Sequence, residues 1–188
     1  IEAAAGKSYD LADHRGILTA PDASLDKWGY RKAFPTAEHL FLSVGRKAYD
    51  AWENYLENIR IGDSVDIAAI SGWETTAIEN HSGIVDNLRR FKADPAIVRR
   101  ALLPVRPCAK QVRLVYTPGE VAKLDLYLFN DTARPAPGEL RLTLIAPDGT
   151  ARAIGNWPAP AHRPDVFSDL IAKGVALPAF TTSGEWRV

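Results

Sequence analysis

Gly62–Pro95, GDSVDIAAISGWETTAIENHSGIVDNLRRFKADP, is the stretch whose reading decides the expected fold. Val65–Ile70 is a six-residue apolar run broken only by Asp66, with small alanines suited to a crowded interior. It ends in Ser71-Gly72-Trp73-Glu74, where the glycine permits a sharp turn. A polar loop comes next, then the basic segment Arg89–Lys92. An apolar strand that releases a Trp and a carboxylate at its C-terminal end is the way α/β barrels assemble active sites.

The flanks extend this reading. Upstream, Arg46–Arg60 carries Ala48, Trp52, Tyr55, Leu56 and Ile59 at helical spacing, with Ser43 placed to help cap it and Gly62 after its end. Helix, Gly-Asp connector and apolar strand together predict a parallel sheet with helices outside. Downstream, Asp94 and Pro95 suit the N-cap and first position of a helix over Asp94–Leu103, whose buried stripe is Ile97, Val98, Ala101 and Leu102. Pro104 stops it, and Pro107 keeps the next stretch extended. Ile1–Lys27 reads as a weakly patterned connector.

From Lys110 the period becomes two. Val112 and Leu114, then Leu124, Leu126 and Leu128, then Leu140, Leu142 and Leu144 alternate with more polar neighbours. Thr117-Pro118-Gly119-Glu120 and Ala146-Pro147-Asp148-Gly149 are turns in which proline presets φ and glycine accepts positive φ. Ala153–Pro164 reads as a proline-rich loop, and Leu170–Leu177 as a segment able to pair back. Strands at this spacing predict an immunoglobulin-like sandwich. The expected fold class is thus α/β followed by all-β. Residues 1–104 form the C-terminal portion of a (β/α)8 barrel, and residues 105–188 form an immunoglobulin-like β-sandwich.

Composition bounds the function. Lys plus Arg and Asp plus Glu both number 23, so nothing points to nucleic acid or an anionic membrane as a partner. The longest apolar runs are too short to span a bilayer. The single Cys108 excludes an internal disulfide and a cysteine-based zinc site. His14 lies near Asp10 and Asp13, but no second histidine stands at ligand spacing, and no metal is expected. No Gly-x-Ser-x-Gly elbow surrounds Ser82, and no phosphate-binding glycine loop occurs, so no cofactor is expected either. Met is absent, and Trp186 and Val188 read as a strand just begun, so both ends look cut. No basic segment followed by an apolar one opens the chain, and the compartment stays open between cytoplasm, periplasm and exterior.

Trp73-Glu74, Ile78–Asn87 (IENHSGIVDN) and Arg89–Pro95 (RRFKADP) together resemble the end of the catalytic barrel in a branch of the family-two glycoside hydrolases, the β-galactosidase and β-mannosidase relatives. Tyr55–Ile61 (YLENIRI) resembles the helix before the last barrel strand of that branch, and Tyr116–Gly149 its following sandwich. The likeness covers roughly Arg31–Gly149, and its specific part is the Glu79–Asp86 run. It implies hydrolysis of β-glycosides with retention, by two carboxylates about 5–5.5 Å apart. In the family these residues lie on earlier barrel strands, so the nucleophile and acid/base are expected outside this chain, which alone would be inactive. The implied partners are a carbohydrate substrate and the rest of the barrel, in the same or a partner chain.

What the resemblance leaves to this chain is one wall of a sugar pocket. Trp73 would stack on a pyranose face, with a core position at the barrel rim as the alternative. Glu74 would accept hydrogen bonds from sugar hydroxyls, with a surface ion pair as the alternative. Asn80 and His81 complete the candidate substrate-binding set; the competing role for both, and for Glu79, is loop architecture. Retaining chemistry does not need His81 as a base. Arg89, Arg90 and Lys92 read as a solvated basic face. The rival reading is a non-catalytic carbohydrate-binding or structural β-sandwich module, which coplanar exposed aromatics such as Trp157 and Trp186 would favour.

Overall fold

The computed structural model describes residues 11–62, 64–74, 83–85, 89–111, 113, 116–117, 119–136 and 138–188. Their elements are α1 (Leu11–Lys27), α2 (Ala37–Gly62) and α3 (Ala96–Ala101), then β1 (Val105–Gln111), β2 (Lys123–Asn130), β3 (Glu139–Ile145), β4 (Ala151–Pro158) and β5 (Ser168–Ala176). The chain divides into two compact units, one within Ile1–Tyr55 and Ala68–Arg100, the other comprising Leu56–Ile67 and Ala101–Val188.

The first unit is helical. α1 occupies the stretch expected to be a connector, and it runs through Pro21. Interior proline costs a helix roughly 3 kcal/mol. Past the end of α1, Arg31 ties back to it: the guanidinium binds Asp22 and Asp26 at 2.7 Å each and reaches the Pro35 carbonyl at 3.0 Å, exposed pairs too weak to offset that cost by themselves. α2 starts nine residues earlier than the apolar spacing suggests (46 against 37). Its cap is Thr36, whose hydroxyl accepts from the His39 backbone N–H at 3.4 Å, and Ser43 lies inside the helix. Among the apolar positions of α2 in this unit, Tyr49 is fully buried, whereas Tyr55 is 60% exposed and off the buried face. α3 is shorter than expected. Asp94 caps it by accepting from the Ala96 N–H at 2.9 Å; Ile97 and Val98 are buried, and Leu102 lies exposed past its end.

The barrel expectation is overturned. Val65–Ile70 forms no strand and pairs with nothing among the described residues. Val65 is 52% exposed and Ile67 85%. Both sheets are antiparallel throughout, and the one parallel pairing described is an isolated bridge between Glu74 and Val85. An apolar, β-branched run supplies propensity, but a strand exists only where neighbouring backbones satisfy its N–H and C=O groups. Among the described residues the fold is three α-helices and five strands in two antiparallel sheets, not the tail of a (β/α)8 barrel.

The immunoglobulin-like expectation is corrected with it. The second unit holds sheets of three strands (β1-β2-β5) and two (β3-β4), fewer among the described residues than the seven of that fold. Leu124 and Leu126 of β2 and Leu142 and Leu144 of β3 meet in one core with Ala122 and Leu177. The proline-rich stretch expected to be a loop supplies most of β4. Gly155 leaves room for the Trp157 ring over this strand: a Cβ there would lie 2.7 Å from it. The two expected turns form. Gly119 and Gly149 have φ 86° and 85°, and the Gly149 N–H donates to the Ala146 carbonyl at 2.9 Å. At the first, hydrogen bonds from the Thr117 N–H and from Arg113 hold the Glu120 carboxyl down at about 2.

The opposite face of the larger sheet carries charge. Arg106, Cys108 and Lys110 of β1 stand across from Phe129, Tyr127 and Asp125 of β2. The last turns of α2 cover this face. Glu57 binds Arg106 at 2.6 Å and Lys110 at 3.6 Å. Arg60 lies 4.4 Å over the Phe129 ring, pairs with Asp131 at 2.8 Å, and donates to the Ala101 and Leu103 carbonyls. Beneath them the Cys108 thiol is pushed up to about 12, chiefly by burial and then by the Glu57 charge.

Two outcomes are expected. Leu126→Ala should cost about 2–5 kcal/mol in denaturant unfolding, while Ile67→Ala should stay within about 0.5 kcal/mol, because only the former empties a core. Cys108 should resist iodoacetamide at about pH 8 in the native protein and react once it is unfolded, since the thiolate is the nucleophile.

Candidate functional site

Trp73 and Glu74 sit at the start of a short clip in the helical unit. Gly72 precedes them with φ 74°, a left-handed turn that glycine adopts without strain. The Trp73 carbonyl then accepts from the Ile84 and Val85 N–H groups at 2.9 and 3.1 Å. Glu74 bridges Val85, and Val85 bridges Phe91 on its other side. The three segments therefore lie side by side through single bridges, with Val85 buried at their centre.

α2 anchors the clip twice. The Tyr49 hydroxyl donates to the Ile84 carbonyl, and burial pushes the phenol pKa up, so the group remains a donor. One turn earlier, Gly45 lies against the returning segment: a Cβ there would approach the Lys92 carbonyl to 2.7 Å. Trp52 stacks on Tyr49 with centroids 5.5 Å apart, and Glu53 reaches Arg100 of α3 at 3.3 Å.

The presented surface is an indole, a carboxylate and a guanidinium. Trp73 is 56% exposed, so it is not a rim core residue in the described structure. Glu74 pairs with Arg89 at 3.1 Å. The carboxylate is about one-third exposed and the guanidinium mostly exposed, so the pair contributes at most about 1 kcal/mol to stability. Arg89 has φ 63°, a left-handed backbone uncommon for a side-chain-bearing residue. Such strain collects at binding sites, where surrounding structure enforces it.

Of the sequence-derived candidates, Trp73 and Glu74 fall together here. Asn80 and His81, and Glu79 with them, lie outside the described residues. The side chain of His14 does as well. No group of three or more metal-ligating side chains occurs among the described residues. No helix among them is long and apolar enough to cross a membrane. Two participants escape sequence reasoning. Arg89 belongs by sequence to a solvated basic face, and no local pattern signals its pairing with Glu74. Tyr49 is not among the apolar positions expected on the α2 face, and no local pattern signals its hydroxyl bond.

The sequence matches no family model, and comparison with curated proteins and with solved structures likewise finds no match.

Gly45→Ala provides a sharp check on the anchoring. In an open helix interior this change stabilises by about 0.5–1 kcal/mol. Here it should destabilise the protein and raise hydrogen exchange at Ile84, Val85 and Lys92.

Proposed function

We propose that this chain is a segment of a retaining glycoside hydrolase acting on β-linked carbohydrates, and that Trp73 and Glu74 form one wall of its sugar pocket. The observation that carries the reading is the exposed indole beside a carboxylate, held by hydrogen bonds from Ile84 and Val85 within the motif that resembles such enzymes. A pyranose presents a face of C–H groups that packs on an indole, and hydroxyls that a carboxylate accepts from. Glu74 pairs with Arg89 through Oε2, and a carboxylate has a second oxygen, Oε1, that can accept from a hydroxyl.

The catalytic carboxylates lie outside this chain in this reading, so the chain alone hydrolyses nothing. Its contribution is orientation: a ligand held on a pre-organised wall loses less freedom on reaching carboxylates supplied elsewhere. The non-catalytic module reading draws no support from Trp157 and Trp186. Both are partly buried against the leucine core, and Trp186 packs on Phe180 with centroids 5.2 Å apart.

Trp73→Ala in the intact enzyme tests the proposal. Turnover of nitrophenyl β-glycosides, as kcat/KM, should fall about tenfold, the loss of one stacking contact. Unfolding free energy should move by less than about 0.5 kcal/mol, because the side chain is more than half exposed. Unchanged kcat/KM would refute the assignment, and a fall in stability alone would make the residue a brace.

A further inference from the structure

The Glu74–Arg89 pair has a consequence for which sugars this wall admits. Arg89 offers five N–H donors in a planar fork, the geometry that grips carboxylates. A guanidinium that is mostly exposed, on a clip that also carries an exposed indole, would ordinarily attract an anionic sugar. Glu74 already stands there, with Oε2 3.1 Å from an Arg89 terminal nitrogen. It is tethered to the same clip through the Glu74–Val85 bridge, so it competes as an intramolecular ligand at high effective concentration. An incoming carboxylate would have to displace it, and would then lie beside a second negative charge.

We infer that Glu74 is a specificity-determining residue: it occupies Arg89 and thereby restricts the wall to uncharged pyranosides, excluding uronic acids. This rests on the pocket reading above and adds the substrate class to it. The pair is neutral as a unit and still presents both polarities, an oxygen that accepts from one hydroxyl and N–H groups that donate to another.

The experiment compares kcat/KM of the intact enzyme on matched nitrophenyl β-glycoside and β-glycuronide pairs, in the gluco and galacto series, which differ only at the sixth carbon. Glu74→Gln frees the guanidinium and should raise glycuronide relative to glycoside turnover by about tenfold, the lower range for a charge-assisted hydrogen bond. Arg89→Gln leaves an unpaired carboxylate and should move the ratio the other way. Because both variants break the same ion pair, a merely structural role would shift both ratios alike, and that result overturns the inference. An unchanged ratio in Glu74→Gln overturns it too, while Trp73→Ala in the same assay reports separately on the pocket reading. Wild-type enzyme inactive on every glycoside would sink both together.

Discussion

The β-rich unit depends on how the last turns of α2 sit on its larger sheet. One face of that sheet is apolar and closes on β3 and β4; the other carries Arg106, Lys110 and Asp125, which could not be covered by another apolar layer. Glu57 and Arg60, one turn apart, resolve this by bringing charges of both signs to the same face. Glu57 pairs with both β1 cations, and Arg60 covers Phe129 while binding Asp131 and two backbone carbonyls. Phe129 is completely buried under this arrangement although it alternates with the core leucines. Removing one partner of such a partly buried network leaves a charge without compensation, which costs more than the network contributes when whole.

In the helical unit a comparable part falls to Tyr49. Among the described residues the clip around Trp73 is joined only by single bridges, and single bridges hold little by themselves. Its order comes from a tyrosine hydroxyl fixed on a helix and from a glycine that lets the chain lie against that helix. This is a rigid element supporting an irregular one, the arrangement on which binding surfaces are commonly built. It also explains why Trp73 can remain exposed. The clip is secured by its backbone and by Val85, so the indole is not required for packing.

Much of the local structure is legible from residue patterns. The period-two leucines of β2 and β3 mark the core because a pleated strand sends alternate side chains to one face. The Gly119 and Gly149 turns and the Asp94 cap arise from residue-specific backbone chemistry. α1 is hidden because Ala20-Pro21-Asp22 reads as a connector, and the two aspartates that meet Arg31 gain meaning only once the helix exists. β4 is hidden by Pro158, by the prolines that follow it and by Gly155, over which the Trp157 ring lies.

Sequence alone determined that β2 and β3 have a buried face, that the chain turns at Gly119 and Gly149, and that Trp73 and Glu74 come directly after a glycine turn. Those properties depend on a few neighbouring residues. Tertiary structure alone decided that Val65–Ile70 is an exposed connector and not a strand, and that Glu74 meets Arg89. Strand pairing and ion pairing are relations between distant segments. A strand's hydrogen-bonding groups lie in the backbone, which is the same at every position, so an apolar run cannot specify whether a neighbour will arrive.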